Sequence, residues 1–226
     1  MTEGSGTDIS GADFTKRAGG AFADGLTLIR LLLTPIVIIV IILGGWPTTQ
    51  VAAFASLLFV IAALTDIFDD MVGGAEGARF RKYGWFDDIA DTVLVTGTLA
   101  ALLFVIFKAG VLGPLFAIPA GIIIAREIIV GLVKGRGLLK NGWPETKWGT
   151  LKNGLTMLAV CILLASPWLT PWYDGLRAGD NALEVYSNPS THIWTVGQVL
   201  LWLAAILSMI TGAQIISGRT GAANDA

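Results

Sequence analysis

Hydrophobic and polar positions in this chain are sorted into long blocks rather than into alternating residues. Six apolar runs stand out, at approximately Leu26–Gly45, Gln50–Asp66, Asp91–Ala109, Val111–Val130, Leu151–Trp172 and Trp194–Ser217. Each is near the roughly 20 residues that cross hydrocarbon as a helix. None shows the alternation of a half-buried strand, and a spanning segment must satisfy its backbone internally, so all six are predicted as helices. Only a few residues separate the third run from the fourth, which predicts an antiparallel hairpin. The chain then divides into a polar, Gly/Ser-rich tail over 1–24, a six-helix membrane domain over 25–218 and a short tail over 219–226. Within the first tail, Phe14–Gly25 carries the weak pattern of an interfacial helix, interrupted by Gly19 and Gly20.

Composition agrees with the pattern. The 226 residues are 54% hydrophobic and 14% charged, and the mean hydropathy is +0.71, so the fold class is an all-α integral membrane bundle and not a soluble domain. The opening residues lack the apolar core of a signal peptide and are read as a retained tail. Cys161, the one cysteine, lies in an apolar run and reads as a small core residue. His192, the one histidine, cannot build a histidine metal site, so any metal must be held by carboxylates.

Charge placement gives an orientation. Lys16, Arg17, Arg79, Arg81, Lys82, Lys134, Arg136, Lys140, Lys147, Lys152 and Arg219 fall on one side of a six-span topology, with only Lys108 and Arg177 on the other. The positive-inside rule makes the first side cytoplasmic, with both termini. The Tyr173–Ile193 loop then faces outward, with Trp168 and Trp172 before it as interface anchors. Two cations lie where hydropathy disfavours them. For Arg30 the expected role is snorkelling or pairing with a buried carboxylate. Arg126, beside Glu127, is open to that reading and to a functional one, since a basic group deeper than the loop suits an anionic substrate.

The chemistry is concentrated between Asp66 and Asp91, a stretch that holds seven carboxylates. Asp66 and Asp69 are three apart at the end of one run, and Asp87 and Asp91 four apart at the start of the next, so each pair shares one face of a helix. Two such pairs meeting near a membrane surface make a site that is stable only with cations, and hard divalent ions with oxygen ligands suit it. A solvated charged loop is the alternative; it fits Glu76 and Asp88 but not Asp66 and Asp91, which border apolar runs directly. A cation-transport path would need acids near the middle of a span, and there are none.

The four aspartates resemble the motif of the CDP-alcohol phosphotransferase family, D-x2-D-G-x2-A-R-x8-G-x3-D-x3-D, with Asp69, Asp87 and Asp91 in register behind Asp66. LTLIRLLLTP looks like the family's first helix, and AREIIVGL, GTLKNGLTM and LLWLAAILSMITG look like the fourth, fifth and last helices of its phosphatidylglycerophosphate synthase branch. The chain departs from the motif at Asp70, where the family has Gly. Gly73-Gly74 replaces Ala-Arg, which occurs later as Ala78-Arg79, and Tyr83 stands at the motif Gly with Gly84 next to it. Thr150, Asn153 and Thr156 replace family residues on the fifth helix, while Gly149 and Lys152 remain.

This resemblance implies a phosphatidyl transfer from CDP-diacylglycerol to an alcohol, with loss of CMP. It implies Mg²⁺ or Mn²⁺ in a two-metal site held by Asp66, Asp69, Asp87 and Asp91, with Asp91 also the general base, and Asp70 within reach as a further ligand. Asp70, Gly73, Gly74 and Arg79 mark the nucleotide-binding positions. Arg79, Arg81 or Lys82 stands in for the motif Arg if GGAEG ends the second helix early. Arg126 and Lys152 are the candidates for the acceptor's phosphate, glycerol 3-phosphate in the nearest branch. The implied partners are CDP-diacylglycerol, a small phospho-alcohol, membrane lipid and a second copy of the chain, in a bacterial inner membrane; no nucleic acid is expected. A family member with impaired catalysis, serving as a scaffold or lipid-binding subunit, is the alternative that the altered motif leaves open.

Overall fold

A computed structural model of the chain describes the backbone of residues 11–77, 84–137, 147–178 and 191–216, with side chains over 25–65, 68, 89–132, 148–177 and 191–214. The described residues form six helices and no strand: α1 (Gly11–Gly44), α2 (Thr49–Gly77), α3 (Gly84–Lys108), α4 (Pro114–Gly137), α5 (Lys147–Ala178) and α6 (His192–Ile216). Each covers one of the six apolar runs.

The turns are built from local chemistry. Gly45 follows α1 at φ 85°, the left-handed conformation in which a glycine ends a helix at no steric cost. After α3, Gly110 adopts φ 73°. Its N–H donates to Phe107 O at 2.9 Å while that of Val111 donates to Ile106 O at 3.3 Å, a Schellman stop. Pro114 then opens α4, where its missing N–H costs nothing, and Gly113 O accepts from Phe116 and Ala117. The tight turn folds α3 and α4 into the expected hairpin.

Among the described residues five segments are long and apolar enough to cross a membrane: Gly25–Gly44, Ile89–Lys108, Pro114–Leu132, Trp148–Arg177 and His192–Gln214. The described apolar part of α2, Thr49–Thr65, has 17 residues, about 26 Å of helix. Large apolar side chains face outward along the helices, Leu32, Leu43, Phe107 and Leu132 among them. In an integral membrane bundle that surface meets lipid.

Inside, α1 packs on α2 and α3, α5 on α2 and α6, and α4 on α6. Small residues set the closest approaches: a Cβ on Gly197 would lie 2.7 Å from Leu163 Cγ, and one on Gly97 2.7 Å from Ile38 Cδ1. One end of the bundle is aromatic. Trp46 packs on Trp194, and Trp194 on Phe116. Trp46 Nε1 donates to Leu164 O at 3.2 Å.

Three sequence expectations change here. The segment 14–25 is not a separate interfacial helix, because α1 runs unbroken from Gly11; two glycines weaken a helix without stopping it when strong formers surround them. Nor does GGAEG end α2 early, since the stretch is itself helical through Gly77. The stretch contains no proline, and Ala75 and Glu76 favour the helix enough to offset glycine's cost of about 1 kcal/mol per residue. Finally, α5 extends six residues past Trp172, to Ala178, so the loop begins later than Tyr173. Trp168 is a tie within the bundle, donating to Ser56 Oγ of α2 at 3.0 Å, whereas Trp172 is exposed.

Candidate active site

The end of the bundle opposite the aromatic cluster gathers the polar side chains. Here α1 supplies Arg30, whose side chain is fully buried. The guanidinium forms an ion pair with Asp91 of α3, and its Nε donates to Thr65 Oγ1 of α2 at 3.3 Å. Thr65 Oγ1 in turn donates a hydrogen bond to Ala62 O at 2.6 Å, and Thr34 Oγ1 donates to Arg30 O at 2.9 Å. Arg30 therefore does not snorkel. It pairs with a half-buried carboxylate and joins the two acid-bearing helices one residue from Asp66.

The helical register that the acid pairs require is present in the backbone. Residues 66, 69 and 70 lie in α2 and residues 87 and 91 in α3. Of these only Asp91 has a described side chain, 17% exposed. Among the described residues no three His, Cys, Asp or Glu side chains gather into a metal-binding group. The side chains of Asp66, Asp69, Asp70 and Asp87 lie outside the described residues, as does Arg79 altogether. Gly73 and Gly74 are helical, within α2. The backbone register is compatible with oxygen ligands for a hard cation, and the one described carboxylate of the set, Asp91, is paired with Arg30.

A second polar group lies at the same end, between α4, α5 and α6. Glu127 Oε1 accepts from Arg126 Nη1 at 2.8 Å and from Lys152 Nζ at 2.5 Å. Arg126 Nη2 donates to Thr211 Oγ1 at 3.2 Å, and Thr211 donates to Leu207 O at 2.8 Å. The Arg126 stem lies over Gly212, whose Cβ position is 3.2 Å from Arg126 Cγ. Sequence reasoning named Arg126 and Lys152, and the structure brings them together. It missed Thr65, Thr211 and Gly212; the small and polar residues of SMITG, spaced at three and four along α6, were the available signal.

Residues 21–210 match the family model of the CDP-alcohol phosphatidyltransferases. The chain belongs to that family. Relatives cover most of its length, and the chain covers most of theirs. A Rickettsia typhi protein is 31% identical over 195 residues, 83% of this chain and 90% of the relative. One from Cereibacter sphaeroides is 27% identical over 205 residues, with shares of 83% and 90%. One from Escherichia coli K12 is 31% identical over 154 residues, with shares of 67% and 80%. All three are named CDP-diacylglycerol–glycerol-3-phosphate 3-phosphatidyltransferase. The matched region holds the whole acidic stretch together with Arg30, Arg126 and Lys152. CDP-alcohol phosphatidyltransferases generally use divalent metal ions.

Proposed function

We propose that this chain transfers the phosphatidyl group of CDP-diacylglycerol to glycerol 3-phosphate, forming phosphatidylglycerophosphate and releasing CMP. The reading is carried by one coincidence: the aspartate register on α2 and α3 and a buried Arg126–Lys152 pair occur at the same end of the bundle. The first suits a metal-bound diphosphate and the second a phosphate on the acceptor.

In this reading Asp66, Asp69, Asp87 and Asp91 hold two Mg²⁺ or Mn²⁺ ions, with Asp70 within reach. Metals held there would offset negative charge on the diphosphate and on the departing CMP. Arg126 and Lys152 grip the acceptor's phosphate and so aim its free hydroxyl at the β-phosphorus. Asp91 takes the hydroxyl proton as the new P–O bond forms and the bond to CMP breaks. Arg30, anchored by Thr65, keeps the Asp91 carboxylate aimed. Gly73 and Gly74 border the nucleotide, and Arg79, with Arg81 and Lys82, supplies the positive charge that the family motif carries earlier.

The excess of Lys and Arg at this end supports a cytoplasmic active site with both termini on the same side, in a bacterial inner membrane. The exposed apolar faces suit membrane lipid and a second copy of the chain in a homodimer.

The test uses purified full-length protein with CDP-diacylglycerol, Mn²⁺ and labelled glycerol 3-phosphate. CMP release and labelled lipid are expected, both lost in Asp91→Asn. Metal binding without turnover, across several alcohol acceptors, would instead identify a scaffold that kept the fold and lost the chemistry.

A further inference from the structure

Arg126 and Glu127 are consecutive on α4, and consecutive helical side chains diverge by about 100°. Their heads meet all the same, in the space between α5 and α6. There a single oxygen, Glu127 Oε1, accepts from Arg126 at 2.8 Å and from Lys152 at 2.5 Å. The three side chains are at most 11% exposed. Arg126 Nε is in addition buried without a hydrogen-bond partner. A buried donor left unsatisfied is costly. One further acceptor oxygen would satisfy it.

We propose that Glu127 is a built-in competitor for the acceptor's phosphate and sets the selectivity of the site for phosphorylated alcohols. The inference rests on the reading that Arg126 and Lys152 grip that phosphate. Without acceptor, Glu127 holds the two cations together, and its Oε1 lies where an oxygen of a bound phosphate would have to lie. A phosphomonoester carries close to two negative charges and three acceptor oxygens. It satisfies both cations and Arg126 Nε at once, and so displaces a tethered carboxylate that carries one charge. A neutral alcohol offers nothing in exchange, so the pair stays closed to it.

Steady-state kinetics on full-length Glu127→Gln, Glu127→Asp and Lys152→Met test this. Glutamine keeps the size of the side chain and removes the competing charge. The KM for glycerol 3-phosphate is expected to fall by about five- to tenfold, the scale of one charge-assisted contact. Inhibition by inorganic phosphate should strengthen in parallel, with kcat and the KM for CDP-diacylglycerol little changed. Aspartate keeps the charge but reaches less far, so a smaller fall is expected. An unchanged or raised KM in both Glu127 variants would overturn the proposal; a raised KM would make Glu127 a strut for the cations. If Lys152→Met raises the KM for glycerol 3-phosphate and the Glu127 variants do not lower it, this inference fails alone. If Lys152→Met leaves that KM unchanged, the acceptor-phosphate reading fails, and this inference with it.

Discussion

Arg30 and Asp91, 61 residues apart in the chain, form an ion pair inside the bundle that ties α1 to α3. The same guanidinium reaches Thr65 on α2, so one side chain fixes how the two acid-bearing helices stand to each other. A fully buried arginine is tolerated only where its charge is answered, here by Asp91.

Removing one partner leaves the other charged and poorly solvated. Arg30→Met should therefore destabilise the protein by on the order of 3 kcal/mol and abolish CMP release. Asp91→Asn should abolish release as well. The double variant Arg30→Met/Asp91→Asn is expected to regain most of the thermal stability in detergent and none of the activity. Recovery of activity in the double variant would show that Asp91 contributes structure and not chemistry.

The donor set predicts dependence on divalent ions. Chelation should stop CMP release, and Mg²⁺ or Mn²⁺ should restore it. Asp66→Asn, Asp69→Asn and Asp87→Asn should each raise the metal concentration needed for half-maximal rate or remove the activity outright. A variant of any of the three with unaltered metal dependence would exclude that residue as a ligand.

Six helices were legible in the sequence because apolar length is a property of the chain read in one dimension. The helicity of GGAEG was not. Whether GGAEG frays depends on small differences between helix and coil, which propensity alone does not decide. The Arg126–Lys152 pairing was half legible: each was picked as a cation for an anionic ligand, but the carboxylate oxygen they share depends on how α4, α5 and α6 pack. Arg30 was assigned a carboxylate partner by charge logic, without any signal that the partner would be the proposed base. The aspartate register was readable because a spacing of three or four fixes a helical face, and the family motif supplied the rest.

Two glycines that look alike in sequence should behave differently. A Cβ on Gly97 meets only the flexible end of Ile38, at 2.7 Å from Cδ1. Gly97→Ala is expected to be nearly neutral, because Ile38 can change rotamer and alanine favours the helix. A Cβ on Gly197 meets Leu163 at Cγ, at Cδ2 and, 3.3 Å away, at the backbone nitrogen. Gly197→Ala must push α6 from α5 and should cost about 1–3 kcal/mol. Melting curves of the two variants in the same detergent separate them.

Gly212 offers a way to move Arg126 without altering any charge. Its Cβ position is 3.2 Å from Arg126 Cγ and 3.4 Å from Nε, tighter than a comfortable contact, so Gly212→Ala must shift the arginine stem by a few tenths of an ångström. Arg126 Nη2 reaches Thr211 at 3.2 Å, and this long bond is the first that such a shift breaks. The KM for glycerol 3-phosphate should rise about threefold to tenfold, equivalent to one weakened hydrogen bond to a charged group, while the KM for CDP-diacylglycerol stays unchanged. Thr211→Val removes the same bond without crowding the stem and should raise the same KM by a similar factor. If Gly212→Ala raised both constants equally, the helix would have moved and not the arginine alone. If neither variant changed the acceptor's KM, the phosphate would have to be bound away from Arg126.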